Sequence, residues 1–294
     1  MTVYDTFINT PYPYTGALDE LEYNRNQLIE KYSDSIEHQI KLKFTYISDP
    51  QLIWRDILYP LYRSRYFKVV DLAPLYDGWI YIYRLYYIGG GFKDLIIDYL
   101  YPDLIPNGFR RRFTFIGPYT LSRLLIGLDE DTLRRIIIEI LDEARELSYN
   151  AIDFIEPLIC YSKSEPLILR RLYTAFNYRD GIEVIIHPYH TDIYDFIGRI
   201  YDYIDGFSID PSYTDLKSLT PIPIDKITLG VVNMMDRRLE DANTLSSIVK
   251  ELSRRIKTRY ILLTNSGMLR MLPYEDALKK IRILSLVSKM LEVG

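Results

Sequence analysis

Eight short runs rich in β-branched and aromatic residues recur along this 294-residue chain, and most are followed by a helical pattern. They fall at residues 3–7, 43–47, 113–116, 151–154, 183–186, 206–209, 227–232 and 260–263. Apolar strands that alternate with amphipathic helices pair in parallel, and eight of them predict a closed (β/α)8 TIM barrel of the α/β class. The clearest helix follows the third run. There Leu133, Ile136, Ile137, Ile140, Leu141, Ala144 and Leu147 form an apolar face, and Arg134, Arg135, Asp142 and Glu143 are expected to face water. One interval is too long for a plain βα unit. Between the second and third runs, residues 79–88 have β composition, and Gly89, Gly90 and Gly91 interrupt it. A β-ribbon insertion after the second strand is expected at about 65–110, with a short helix near 92–100. The alternative is an open doubly wound sheet, but no Gly-x-Gly-x-x-Gly turn follows the first run. No linker or repeat divides residues 1–294, so one domain is expected.

Composition limits the function classes. With 48% hydrophobic residues there is ample material for a core, and the length suits a barrel, which needs about 250 residues. A net charge of −4 argues against a general nucleic-acid binder. No apolar run reaches about 18 residues, so no membrane helix is expected. The start, Met1 to Asp5, lacks a basic and then apolar leader pattern, so no signal peptide is expected. One cysteine, Cys160, excludes an internal disulfide and makes a cytoplasmic location the default. The chain has 28 tyrosines but only three glutamines, Gln27, Gln39 and Gln51. That scarcity hints at a thermophile, although biased base composition gives the same pattern.

Barrel enzymes place their active sites at the C-terminal ends of the strands. Gly117-Pro118-Tyr119-Thr120 follows the third run here and Ile155-Glu156-Pro157 the fourth. His187 ends the fifth, Asp210 the sixth, Asn233 the seventh, and Asn265-Ser266-Gly267 the eighth. Together with residues 229–240, Leu-Gly-Val-Val-Asn-Met-Met-Asp-Arg-Arg-Leu-Glu, this ordered set resembles the cobalamin-independent methionine synthase family from Gly117 onward. The first third resembles it more loosely, through Ile8-Asn9-Thr10-Pro11 and through the segment from Asp49 to Asp56 with Gln51 and Trp54.

The resemblance implies a barrel in which zinc, held by His, two Cys and Glu, ionises the thiol of homocysteine for attack on the methyl group of a folate. Position by position, His187 keeps the histidine, Tyr189 stands at the first cysteine, Asp210 at the glutamate and Ser266 at the second cysteine. Met235 stands at the family's catalytic histidine, and Ile155 replaces an aspartate that would hold the substrate's amino group. Tyrosine and serine hydroxyls stay protonated near neutral pH and are poor zinc donors. Zinc is therefore not expected, nor any tightly bound cofactor; a folate or pterin methyl donor is the implied ligand.

The resemblance gives Glu156, His187 and Asn233 as catalytic candidates. It gives Asn9, Thr10, Tyr119, Thr120, Glu156, Asp210, Arg237 and Ser266 as substrate-binding candidates. Each has a bland counterpart. The pair His187 and His190 reads sooner as hydrogen-bonded structural histidines than as metal ligands, and Cys160 as a small buried apolar residue; Glu156 is expected to face the barrel mouth, with a salt bridge to a neighbouring arginine as its counterpart. Arg110-Arg111-Arg112, Arg170-Arg171 and Arg237-Arg238 are candidates for gripping an acidic pterin tail; Arg254-Arg255 is taken as solvated surface. Two functional readings follow. One is a zinc-less barrel, equivalent to the N-terminal barrel of full-length family members, that docks on a zinc-bearing methionine synthase subunit. The other is a free-standing methyltransferase drawing on a folate, pterin or corrinoid. A decarboxylase or binding module of the wider superfamily that includes uroporphyrinogen decarboxylase ranks last, since no matching arginine motif stands near the N-terminus.

Overall fold

The computed structural model describes residues 2–8, 24–75, 80–188, 194–211, 213–214, 224–269 and 272–292. In chain order the elements are β1 (Val3–Thr6), α1 (Arg25–Lys41), β2 (Tyr46–Ser48), α2 (Tyr59–Arg63), β3 (Phe67–Leu75), β4 (Ile80–Tyr87) and β5 (Arg110–Ile116). There follow α3 (Pro118–Leu124), β6 (Leu125–Ile126), α4 (Glu130–Glu146), β7 (Ala151–Ile155), α5 (Pro166–Tyr173), β8 (Glu183–His187) and α6 (Tyr194–Ile200). The last are β9 (Gly206–Ile209), β10 (Lys226–Asn233), α7 (Ala242–Ile256), β11 (Tyr260–Ser266) and α8 (Tyr274–Glu292).

Eight strands form one parallel sheet in the order β1-β11-β10-β9-β8-β7-β5-β2. Its two edges, β1 and β2, nearly meet. The Thr45 N–H donates to the Thr6 carbonyl at 3.1 Å, and the Thr6 N–H reaches the Thr45 hydroxyl at 3.4 Å. The result is the expected TIM barrel with one seam. All eight predicted strands are present, several of them longer than the sequence pattern marked.

Alternation along each strand sorts side chains into two layers. Phe113, Phe115, Ile152, Phe154, Val184 and Ile186 face outward and join the helices in one large core. The apolar stripe of α4 (Leu133, Ile136, Ile137, Ile140) belongs to it. Inside the barrel, apolar packing shrinks to a small cluster of Phe7, Tyr46 and Leu262. Beside it the interior carries a set of buried polar side chains: Arg112, Thr114, Asp153, His187, Thr228 and Thr264. A polar interior is costly unless its groups are paired, so that pairing shapes everything at the mouth.

The ribbon insertion is present after β2. Strands β3 and β4 pair antiparallel with a bulge at Val70, and β4 pairs parallel with the two-residue β6. The sequence pattern marked only the second of its strands, because the bulge breaks the alternation in β3. Trp79 lies outside the described residues. A short 3-10 turn, Ile97–Tyr99, stands where a helix was expected. One expectation is corrected. Glu143 does not face water, because it sits one turn below Ile140 on the apolar face of α4. Its carboxylate accepts the N–H groups of Leu95, Ile96 and Ile97 at 2.6, 2.7 and 3.0 Å, and so clamps the insertion onto the barrel. Among the described residues, no helix is long and apolar enough to cross a membrane.

Candidate functional site

A line of buried polar side chains climbs the inside of the barrel wall to the mouth. Arg112 lies low on β5, Asp153 at mid-height on β7, and His187 at the top of β8. The Arg112 guanidinium grips the Asp153 carboxylate with two bonds, Nε to Oδ2 and Nη2 to Oδ1, both 2.6 Å. His187 Nε2 meets Asp153 Oδ1 at 2.7 Å. All three are at most 1% exposed. Burial alone would push the Asp153 carboxyl up, but the Arg112 charge and the His187 hydrogen bond outweigh it and hold the group below the usual range. The guanidinium carbon also lies 3.5 Å from the centroid of the Phe7 ring and 4.7 Å from that of Tyr46. Sequence reading missed Asp153 and placed Arg112 in a basic cluster meant for an acidic ligand tail. The signal was present: opposite charges at inward-facing, period-two positions of neighbouring strands.

At the mouth, Ser266 Oγ donates to Asp210 Oδ2 at 2.5 Å, and both side chains are buried. Gly230 makes this contact possible, since a Cβ there would lie 2.9 Å from Cβ of Ser266. Asn233 ends β10 with its side-chain oxygen accepting the Met235 N–H at 2.8 Å, while its own N–H donates to Glu240 at 2.8 Å. Glu240 in turn accepts from the fully buried Lys280, which also donates to the Arg238 carbonyl. The loop after β10 is thereby tied to α8. A cleft of about 470 Å³ opens beside it, lined by Pro211, Asn233, Glu240, Leu245 and Ile248 among others.

Neither Asp210 nor Ser266 supplies a thiolate, since the Asp210 carboxylate accepts the neutral Ser266 hydroxyl. Among the described residues, no three His, Cys, Asp or Glu side chains gather closely enough to hold a metal ion. Tyr189, Asn9 and Thr10 lie outside the described residues.

Glu156 is placed differently from expectation. It does not face the mouth, because strand alternation turns it outward, under the first turn of α3. There its oxygens accept the N–H groups of Tyr119 and Thr120, both at 2.8 Å, the Thr120 hydroxyl at 2.6 Å and the Tyr173 hydroxyl at 2.9 Å. Its acceptor positions are filled from within the chain. Burial nonetheless pushes the carboxyl up to about 7, because every donor is neutral. Gly117 leaves the space: a Cβ there would sit 2.3 Å from Glu156 Cδ. The Tyr119 hydroxyl is also occupied, bonded to Glu165 and Arg123, which pair with each other.

The arginine clusters separate by height. Arg110, Arg111 and Arg112 open β5, at the end of the barrel opposite the mouth, so their expected role at an acidic ligand tail is corrected. Arg110 lies over the Tyr46 ring and pairs with Glu183; Arg111 bonds the Ile105 carbonyl. Arg170 and Arg171 end α5, and the latter pairs with Glu130. Arg237 does stand at the mouth, largely exposed, with Asp276 at 2.8 Å.

No family model and no curated protein matches the chain. Solved structures do. A B12-independent methionine synthase from Shewanella sp. W3-18-1, in complex with selenomethionine, superposes with a TM-score of 0.74 at 13% identity over 98% of this chain and 97% of that one. A putative vitamin-B12 independent methionine synthase from Listeria monocytogenes gives 0.75 at 12% identity over 99% and 98%. A methyltransferase from Methanosarcina mazei gives 0.59 at 11% over 95% and 93%. What is shared is the fold. At such identities the likeness carries the barrel, including its full length, and no activity.

Proposed function

We propose that this chain is a methionine-synthase-like barrel serving methyl transfer to homocysteine without a zinc centre of its own. In this reading it holds a folate or pterin and works beside a zinc-bearing subunit. The observation that carries the reading is the 2.5 Å bond between Ser266 and Asp210, which ties together two of the positions where the family resemblance would put metal ligands. A serine hydroxyl donating to a carboxylate is a closed polar pair, with neither a thiolate nor a free carboxylate to bind a soft cation. The full-length likeness to chains named methionine synthases supports the scaffold.

The test is metal analysis of untagged protein joined to methyl-transfer assays. Substoichiometric zinc is expected, with methionine formed from homocysteine and a methylated folate only when a zinc-bearing methionine synthase is added. Stoichiometric zinc that disappears in His187→Ala would overturn the proposal.

A second reading is favoured by one observation. The chain covers 97% and 98% of the two named methionine synthases, so each of those neighbours is itself a single-barrel chain of this size. A free-standing methyltransferase fits that pattern, and methionine made by the purified protein alone would establish it.

A further inference from the structure

Whatever His187 meets at the mouth, the way it meets it is decided lower in the barrel. The His187 main chain is held first, since its carbonyl accepts the Glu156 N–H at 2.7 Å. Its ring is then anchored by Asp153 Oδ1, at 2.7 Å from Nε2. The Asp153 carboxylate takes two short bonds from the Arg112 guanidinium, which has only protons to give, and so serves as an ionised acceptor. An acceptor with no proton of its own requires that the proton of this bond sit on Nε2.

A lone carboxylate would rotate about its Cβ–Cγ bond and offer either oxygen. This one has no such freedom. The fork of Arg112 takes Oδ2 through Nε and Oδ1 through Nη2, each at 2.6 Å, which fixes the carboxylate plane. The guanidinium is fixed in its turn against the Phe7 and Tyr46 rings, beside the seam between β1 and β2. The Phe7 ring also stands edge-on to the imidazole, with centroids 6.1 Å apart and planes at 74°. Four strands and Phe7, just past the end of β1, thus contribute to the orientation of one ring.

We propose that Arg112 is a positioning residue for His187: acting through Asp153, it locks the imidazole in one plane and in the Nε2–H tautomer, leaving Nδ1 as the ring's acceptor atom. The inference goes beyond the methyl-transfer reading and holds for either partner arrangement. It says that any ligand group served by this ring presents a donor to Nδ1.

The test needs no activity. Long-range nitrogen–proton correlation spectra of the intact chain report the tautomer of each neutral histidine. The three rings, His38, His187 and His190, are assigned with single His→Gln variants. The Nε2–H form of His187 is expected in more than about tenfold excess, as a charge-assisted bond at Nε2 requires. A slowly exchanging, strongly downfield Nε2 proton should accompany it. Arg112→Lys keeps the charge but loses the fork, and should weaken that preference and broaden or remove the proton signal. An Nδ1–H or evenly mixed tautomer in the wild-type chain overturns the proposal, and that measurement stands even if the variant fails to fold. Unchanged His187 spectra in folded Arg112→Lys would also overturn it, because a purely structural arginine would leave the tautomer alone.

Discussion

Asp153 and Glu156 stand three residues apart, one inside β7 and one just past its end, and both are buried. Asp153 points into the barrel and is gripped by a guanidinium; its carboxyl is held below the ordinary range although burial pushes the other way. Glu156 points out toward α3 and is held by four donors, all uncharged, and burial carries its carboxyl up to about 7. The difference shows that hydrogen bonds alone do not offset desolvation of a carboxylate, whereas a positive charge buried with it does. It also separates two jobs that look alike in sequence. Asp153 transmits orientation to the mouth, while Glu156 secures the start of a helix.

The widest break in this comparison comes from removing the charge. Arg112→Met should destabilise the fold by about 3–5 kcal/mol in urea titrations, because it strands a buried carboxylate. Arg112→Met combined with Asp153→Leu should cost clearly less than the two single changes summed. Strict additivity would show that the pair is not coupled.

Glu156 responds to pH with the opposite sign from Asp153. Its folded value lies near 7 against 4.5 for the free group, so the folded chain holds the proton more tightly than the unfolded one. Its contribution is fully present below pH 4.5 and is lost as the pH rises through 7, a change of about 3 kcal/mol. Asp49 and Asp56, both raised to about 6 by burial, act in the same direction from 3.8 upward. Asp153, being lowered, loses its contribution only as the pH falls below 3.8. Thermal midpoints should therefore decline between pH 4.5 and 7, and Glu156→Gln should flatten the decline. An equally steep decline in the variant would place the effect elsewhere.

Next in size is Gly117→Ala. The backbone there has φ of −80°, which alanine adopts freely, so any cost is steric. A methyl 2.3 Å from Glu156 Cδ has to displace a side chain pinned by four donors, at about 2–3 kcal/mol by urea unfolding. A neutral result would show that Glu156 is loosely held.

How much of this was legible follows from the two periodicities. Strand composition and the helical stripe of α4 reported the barrel directly, since both depend on local apolar patterning. The ribbon was half visible, because the bulge at Val70 hides the alternation of β3. Glu143 was misread, because charge suggested water while its position on the α4 face placed it against the insertion. The mouth was the hardest. Strand-end positions named Glu156, His187, Asp210, Asn233 and Ser266 together, and the structure brings Asp210 against Ser266 but turns Glu156 away. Which side of a strand end a residue takes depends on a single step of alternation, and motif order does not record it. Asp153 went unnoticed because a motif search attends to strand ends, whereas it sits mid-strand with its partners on the two flanking strands, at residues 112 and 187.

The mildest perturbation sharpens the comparison most. Thr120→Val keeps the shape of the side chain and the Thr120 N–H bond to Glu156, and deletes only the hydroxyl that donates at 2.6 Å. That hydroxyl also accepts the Leu158 N–H at 3.3 Å, so one buried donor loses its partner as well. A loss of about 1–2 kcal/mol is expected. The hydroxyl favours the ionised form of Glu156, so its removal should raise the carboxyl further above 7. The cost of the substitution should then be larger above neutral pH, where the carboxylate has lost a donor, than at pH 4.5, where the group is protonated in both proteins. Urea unfolding of the two proteins at both pH values measures that difference. A penalty independent of pH would mean that Thr120 merely fills space, and that its hydroxyl does nothing to hold the buried carboxyl down.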